Sequence, residues 1–390
     1  MNPGRKKTIL VVIPYGFNER MANFPEFTIS RMLAGEGWRV IGLTRREQGA
    51  PSIHETHGIR VYRYRTFLEG ALRALYLCVE RPDVVHVHML RNNRVGVIAA
   101  VLAKFLRIPL AFSEAGLLHD HYLTDDRDDP LEQTIHYERV ARKPWQGFRS
   151  YFFHFPMTHA DAAIFYSKHN IPIAEALGIR NVRYVPLLID DMRWESDTRN
   201  EIDLNLPREP FALFVGQMKK RKGWDVLLRA IPLVPVSAMP KFVIVSSTGK
   251  QTEEFRRLVD ELSIQDRVVF LGAVQGSRQL REVFEKSSLV VVPSRYEGFG
   301  LVPLEAFEAG KPVVASCVEA LTEYLVHERN AYLVPTKNDL ALARGIETVA
   351  KNAELRERLT NGGRETLTDM KSTKRAREWL DAYRELVANR

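Results

Sequence analysis

Cysteine is almost missing: Cys78 and Cys317 stand far apart in a chain of 390 residues. They offer no disulfide framework and no cysteine-based zinc site, and they fit a reducing, cytoplasmic setting. Also missing is an uncharged run of the ~20 residues that cross a bilayer. The best stretch, residues 95–112, is broken by Lys104, Arg107 and Pro109. The opening MNPGRKKTILVVIP places cations before an apolar run, but that run stops at Pro14, is too short for a signal-peptide core, and reads as a first buried strand. Zinc-finger spacing and aromatic RNP patterns are absent, so nucleic acid is not an expected partner. No Asp-x-Asp motif stands at a strand end. Asp125–Asp126 and Asp128–Asp129 lie in a polar stretch, and no essential metal is expected.

What is present describes an ordinary globular chain, 45% hydrophobic and 27% charged. Its length suits two domains. A net charge of +8 favours anionic partners such as phosphates or acidic lipid surfaces.

Short β-branched runs alternate with helical patterns. Runs without polar alternation imply strands buried on both faces, as in parallel sheets. In the first half these are Thr8–Ile13, Arg39–Leu43, Ile59–Tyr64, Val84–Val87, Leu110–Ser113, Ala162–Tyr166 and Arg183–Leu187, with helices at Glu26–Ala34, Arg94–Phe105 and Lys168–Leu177. In the second half they are Phe211–Val215, Phe242–Ser246, Val268–Leu271, Leu289–Pro293, Val313–Ala315 and Ala331–Val334. Helices are expected there at Trp224–Ala230, Glu253–Leu262, Gln279–Lys286 and Val302–Ala309. The polar, proline-bracketed DDMRWESDTRNEIDLNLPREP separates the halves. The reading is therefore two doubly wound, Rossmann-like α/β domains, residues 1–190 and 211–372, joined by a linker over 191–210. Lys374–Val387 forms an amphipathic helix in a terminal segment, 373–390, that packs back toward the first domain. In such sheets ligands sit at the carboxyl ends of the strands, and two facing domains would hold one between them.

The most informative stretch is VVVPSRYEGFGLVPLEAFEAGKPVVAS. A buried strand ends at Pro293, a loop with Gly298 and Gly300 follows, and a helix begins near Leu301. Glycines let backbone approach a phosphate, and a helix start offers free N–H groups. Glu305 falls one turn after Leu301, and Glu297 sits eight positions earlier. Carboxylates at these points suit paired hydroxyls of a sugar and a ribose. The stretch from Pro293 to Val313 resembles the donor-binding signature of the retaining glycosyltransferases of family four (glycosyl transferases group 1), in which two glutamates are separated by seven intervening residues. The likeness extends to PDVVHVH at residues 82–88, the linker and the whole second half. It implies the GT-B fold, two facing Rossmann-like domains, and a nucleotide-sugar donor. It assigns Glu297 to the donor sugar, the backbone of Phe299, Gly300 and Leu301 to the sugar–diphosphate junction, and Glu305 to the ribose.

The segment FVGQMKKRKGWDVLLRA reads strand, Gly216, basic loop, Gly223, helix. Lys219, Lys220, Arg221 and Lys222 form a cationic turn suited to a departing diphosphate. The family strand ends in Gly-Arg, and a lysine precedes the next glycine. Lys222 matches that lysine, whereas Gln217 replaces the arginine and supplies no charge; Arg221 or Lys219 could compensate. In the first half, Gly16 stands where the family often has two adjacent glycines contacting donor phosphate or acceptor. In PLAFSEAGLLHDHYL the family histidine near the reacting sugar is replaced by Ala115. His119, Asp120 and His121 follow, and His119 is the candidate nearest the loop tip. His86 and His88 alternate along a strand and read as core histidines or as one cleft-facing group.

Residues 139–155, RVARKPWQGFRSYFFHF, mix cations with aromatics, which suits a bilayer interface, a lipid-linked acceptor, or a helix packed in the first domain. The expected protein is a cytoplasmic glycosyltransferase, peripheral on the inner face of a membrane. It would move a sugar from a nucleotide sugar to a glycan or lipid-linked glycan with retention. The alternatives are a sugar-nucleotide-binding protein without transfer and a GT-B sugar-nucleotide epimerase.

Overall fold

The structure is a computed structural model and describes residues 6–14, 17, 25–88, 93–114, 155–176, 178–189, 204–249, 251–274, 277–371 and 373–388. The chain forms two compact units. The first holds the described residues up to Ile189 and the C-terminal stretch from Lys371. The second holds those from Leu204 to Met370. Of the expected linker, residues 191–203 lie outside the described residues.

The first unit is built on an eight-stranded sheet. Its strands are β1 (Thr8–Val12), β2 (Arg39–Arg45), β3 (Ile53–Thr56), β4 (Ile59–Tyr64), β5 (Val84–His88), β6 (Leu110–Glu114), β7 (Ala162–Phe165) and β8 (Val182–Tyr184). They run in the order β3-β4-β2-β1-β5-β6-β7-β8, and every pairing is parallel except β3 with β4. The helices are α1 (Pro25–Gly35), α2 (Phe67–Val79), α3 (Arg94–Phe105) and α4 (Asn170–Ala176). β1, β5 and β7 are buried along their whole length, which is why they appear as unbroken apolar runs. Asn93 caps α3 by accepting from the Gly96 N–H at 2.9 Å and donates to the carbonyl of His88 at 2.7 Å, fixing the turn between β5 and α3.

The second unit has a six-stranded, wholly parallel sheet: β9 (Phe211–Val215), β10 (Lys241–Val245), β11 (Val268–Gly272), β12 (Leu289–Val292), β13 (Val313–Ser316) and β14 (Tyr332–Val334), in the order β11-β10-β9-β12-β13-β14. Its helices are α5 (Trp224–Ala230), α6 (Thr252–Glu261), α7 (Ser277–Lys286), α8 (Val302–Glu308), α9 (Glu319–Thr322), α10 (Asp339–Lys351) and α11 (Ala353–Met370). Trp224, Phe214, Phe242 and Phe255 pack in one core with Ile346 and Leu359 of the last two helices. The strand order reverses between β9 and β12, so the loops leaving these two strands lie side by side at the carboxyl edge.

The last helix, α12 (Thr373–Ala388), belongs to the first unit. Trp379 and Tyr383 are fully buried, and the Trp379 indole N–H donates to the carbonyl of Pro186 at 3.0 Å. The Tyr383 hydroxyl meets Nδ1 of His86 at 2.6 Å. Nδ1 of His88 meets the Ser113 hydroxyl at 2.6 Å, and the His86 and His88 rings lie 3.7 Å apart, tilted by 33°. Both histidines are therefore core groups. Burial pushes His86 down to about 3; burial, with His86 beside it, holds His88 well below the ordinary histidine value. Below about pH 6.5 the unfolded chain takes up protons that the folded chain refuses, so stability falls as pH falls. We expect a loss of about 1.4 kcal/mol per pH unit for each histidine from pH ~6.5 downward, continuing toward about 3 for His86. Thermal melts of wild type and His86→Phe across pH 7 to 4 should show a shallower pH slope in the variant.

Candidate active site

Two neighbouring loops build the site, one after β9 and one after β12. After β9 the chain passes Gly216 and Gln217, makes a single 3-10 turn at Lys220–Lys222, and enters α5 through Gly223. After β12 it passes Pro293, Ser294, Arg295 and Tyr296 to Glu297, and enters α8 through Phe299, Gly300 and Leu301. The loops are stitched together by backbone: the Arg295 N–H donates to the Arg221 carbonyl at 2.8 Å. Gly223 sits at φ +69°, where a Cβ would lie 1.8 Å from the Pro293 carbonyl oxygen. Only glycine allows that approach.

Glu297 is 5% exposed and fully engaged. The Lys222 ammonium donates to its Oε1 at 2.6 Å and its Oε2 at 2.8 Å. The Ser294 hydroxyl donates to Oε1 at 2.7 Å, and the Arg221 guanidinium lies 3.6 Å from Oε2. Burial works to raise the Glu297 carboxyl. The charges of Lys222 and Arg221 and the hydrogen bonds from Lys222 and Ser294 outweigh it and hold the group below the usual carboxylate range. A second pair lies beside it: Arg295 donates to Asp225 of the first turn of α5 at 2.7 Å. The core of the site thus sets Lys222, Arg221 and Arg295 against Glu297 and Asp225, and cations gathered at such a turn can receive a diphosphate.

The glycine-rich turn is held from the other side. Gly300 adopts φ +86°, and a Cβ there would lie 2.4 Å from Leu321. The Tyr324 hydroxyl donates to the Gly300 carbonyl, and its ring stacks on Phe299 at 5.2 Å. Leu301 precedes α8 and accepts from the Glu305 N–H at 3.0 Å. Glu305, in the first turn, is 8% exposed.

The sequence-derived residues Glu297, Lys222 and Arg221 are therefore in mutual contact. Gly216 meets Lys222 by packing, a Cβ there falling 3.6 Å from Lys222 Cγ. Gln217 is exposed, and its carbonyl accepts from the Lys219 N–H at 2.8 Å. Lys220 pairs elsewhere, 3.1 Å from Glu254. Within the basic turn, Lys222 and Arg221 thus face Glu297 while Lys220 pairs with α6. Gly16 and His119 lie outside the described residues, as do Ala115, Asp120, His121 and residues 139–154. Sequence reasoning gave no role to Ser294, Asp225, Arg295 or Tyr324; the Pro-Ser of the signature was the one available sign of the first. Among the described residues no group of three His, Cys, Asp or Glu side chains could hold a metal. No helix among them is long and apolar enough to cross a membrane. A cavity of about 690 Å³ lies at the opposite, amino edge of the same sheet, lined by Ser288, Leu289 and Pro312, and contains none of these residues.

Residues 196–366 match the family model of the glycosyl transferases group 1. An uncharacterized glycosyltransferase of Methanocaldococcus jannaschii is 36% identical over 177 residues, covering 45% of this chain and 45% of that protein. The aligned region spans less than half the length of that relative. Among solved structures, the sucrose-phosphate synthase of Thermosynechococcus elongatus superposes with a TM-score of 0.71 at 22% identity, covering 99% of this chain and 100% of that one. Anabaena HepE in complex with UDP and glucose gives 0.71 at 16% identity, covering 97% and 100%. At these identities the likeness establishes the fold, two parallel-sheet α/β units of the GT-B class.

Proposed function

We propose, proceeding from the match of residues 196–366 to the glycosyl transferases group 1, that this chain moves a sugar from a nucleotide-diphosphate-sugar to a hydroxyl group with retention at the anomeric carbon. The observation that carries this reading is the Glu297 clasp. A buried carboxylate and two cations meet at the strand-order reversal, beside a turn kept open by Gly300. The structure of HepE with UDP and glucose supports a sugar nucleotide as the ligand.

In this reading Lys222 and Arg221 offset the charge that grows on the departing diphosphate. Glu297 accepts hydrogen bonds from the donor sugar hydroxyls, and Lys222 moves from the carboxylate toward the phosphate as donor enters. Phe299, Gly300 and Leu301 line the sugar–diphosphate junction, and Glu305 holds the ribose. The anomeric C–O bond to the diphosphate breaks, the acceptor oxygen forms the new bond on the same face, and the acceptor proton passes to a phosphate oxygen. No protein nucleophile and no essential metal enters this scheme. Gly16 is assigned to the donor phosphate or the acceptor, and His119 to the reacting sugar. The acceptor is a glycan or lipid-linked glycan, which suits polysaccharide biosynthesis at the cytoplasmic face of a membrane.

A thermal-shift screen over UDP-, GDP-, ADP- and TDP-sugars tests the donor site, because a ligand bound only to the folded chain raises its melting point. At least one of the four should raise it by several degrees, and Glu297→Ala should remove the rise. Sugar release or transfer by wild type, lost in Glu297→Ala, separates an enzyme from a binding protein. A changed sugar without acceptor identifies an epimerase instead. No shift with any donor overturns the assignment.

A further inference from the structure

Helix α2 is apolar on both sides. Gly70, Ala74, Leu77 and Cys78 face inward, against Tyr64, Val95 and Ala99. Leu68, Leu72, Leu75, Tyr76 and Val79 fall at helical spacing on another face, each 44 to 68% exposed, and Phe67 at the helix start is exposed as well. A helix that is hydrophobic all round is normally covered all round. A contiguous apolar strip of this kind on a chain surface marks a binding face.

The neighbouring helix extends the strip. Gly70 abuts Val95 and Cys78 abuts Ala99, so α2 and α3 run side by side in the same direction. Phe105, the most exposed large apolar side chain among the described residues, therefore ends α3 at the same end as Val79. Each of these helices closes the same way, with an exposed apolar residue and then, two positions on, an exposed arginine at positive φ: Arg81 at 53° and Arg107 at 57°. Glycine is the ordinary residue there. Arg65 stands before the first turn of α2. Arg73 and Lys104 pair with Glu69 and Asp161; Glu80, which bonds the Tyr76 hydroxyl and lies 3.8 Å from Arg39, and Asp83 are further carboxylates close by.

We infer that the α2 strip with Phe105 is a docking surface for an anionic lipid bilayer: the leucines, Tyr76 and Phe105 enter the headgroup boundary, and Arg65, Arg81 and Arg107 meet lipid phosphates. Charge complementarity selects this occupant. A second copy of the chain would bring the same arginine rim against itself, whereas an anionic membrane answers both the apolar strip and the rim. This surface goes beyond the membrane contact considered for residues 139–155 and does not depend on the donor reading.

The test uses the full chain with vesicles of phosphatidylcholine alone or mixed with phosphatidylglycerol, at about 0.1 M salt. Wild type should sediment with the mixed vesicles and weakly with the neutral ones. Leu72→Gln with Leu75→Gln should cut partitioning about tenfold or more, and Arg81→Gln with Arg107→Gln several-fold. All four positions are on the surface, so circular dichroism melts of the variants should match wild type. A variant that melts early is replaced by Phe105→Gln. Failure of wild type to bind the mixed vesicles overturns the proposal. So does equal binding by the leucine variant, which would mean charge attraction alone, and so does a dimer in light scattering that Leu72→Gln dissolves. Donor-induced thermal shifts should be the same in these variants, so a failed donor screen leaves the lipid result readable.

Discussion

Lys222→Met should lower transfer about a thousandfold and weaken the second unit by about 3 kcal/mol. The two losses share one cause. Glu297 is buried, and the Lys222 ammonium touches both of its oxygens. Removing the lysine leaves a carboxylate with Ser294 and the more distant Arg221, and the cost of an under-compensated buried charge far exceeds the net worth of the pair. The carboxyl should then rise from its depressed position, and the variant should lose more stability at neutral than at acidic pH. Lys222→Met combined with Glu297→Gln should recover most of the stability and none of the transfer, since both charges are gone. Urea unfolding followed through tryptophan fluorescence, with Trp224 in the core of this unit, reads the first quantity; kcat/KM for the donor reads the second. Wild-type transfer in Lys222→Met would remove this turn from the mechanism.

Gly223→Ala should be nearly as severe for a different reason. At φ +69° an alanine is strained by about 1–2 kcal/mol. Its Cβ would also lie 1.8 Å from the Pro293 carbonyl, which is backbone and cannot swing aside. The loops after β9 and β12 must then separate, at a combined cost of about 4 kcal/mol. Since the Glu297 clasp spans those loops, donor binding should fall with stability. Gly249→Ala is the control. No atom lies within 4 Å of its added Cβ, so its melting point should stay within a degree or two of wild type. An unperturbed melt for Gly223→Ala would mean that the loops are not packed this closely.

The parallel framework was legible because its strands are buried on both faces and therefore written as β-branched runs. Ile59–Tyr64 and Phe211–Val215 coincide residue for residue with observed strands. The miss at Ile53–Thr56 has the opposite cause: this antiparallel edge strand is exposed at Ile53, His54 and Glu55 and has no apolar signature. Phe67–Val79 escaped because a helix that is apolar on two faces shows little contrast between them. The arc from Asp339 to Met370 was not resolved into α10 and α11, although both helices contribute to the core of the second unit. At the site, the spacing of Glu297 and Glu305 was readable, and so was the basic turn. Which cation meets which acid was not: Lys222 and Glu297 are 75 positions apart, and only the adjacency of β9 and β12 unites them. Tyr324 was invisible for the same reason, since its partner Gly300 lies 24 positions earlier in another loop.

The closing of Tyr383 onto His86 across 297 positions has a consequence for biogenesis. The first unit begins with β1 but is completed by α12, which follows the second unit in the chain, so Trp379 and Tyr383 reach it only after the second unit has been made. The second unit is continuous from Leu204 to Met370 and can fold as soon as it emerges. Chains truncated just before residue 373 and released should hold a protease-resistant second half and a labile first half. A ribosome that stops short of Trp379 therefore releases a protein whose beginning, not its end, is the defective part.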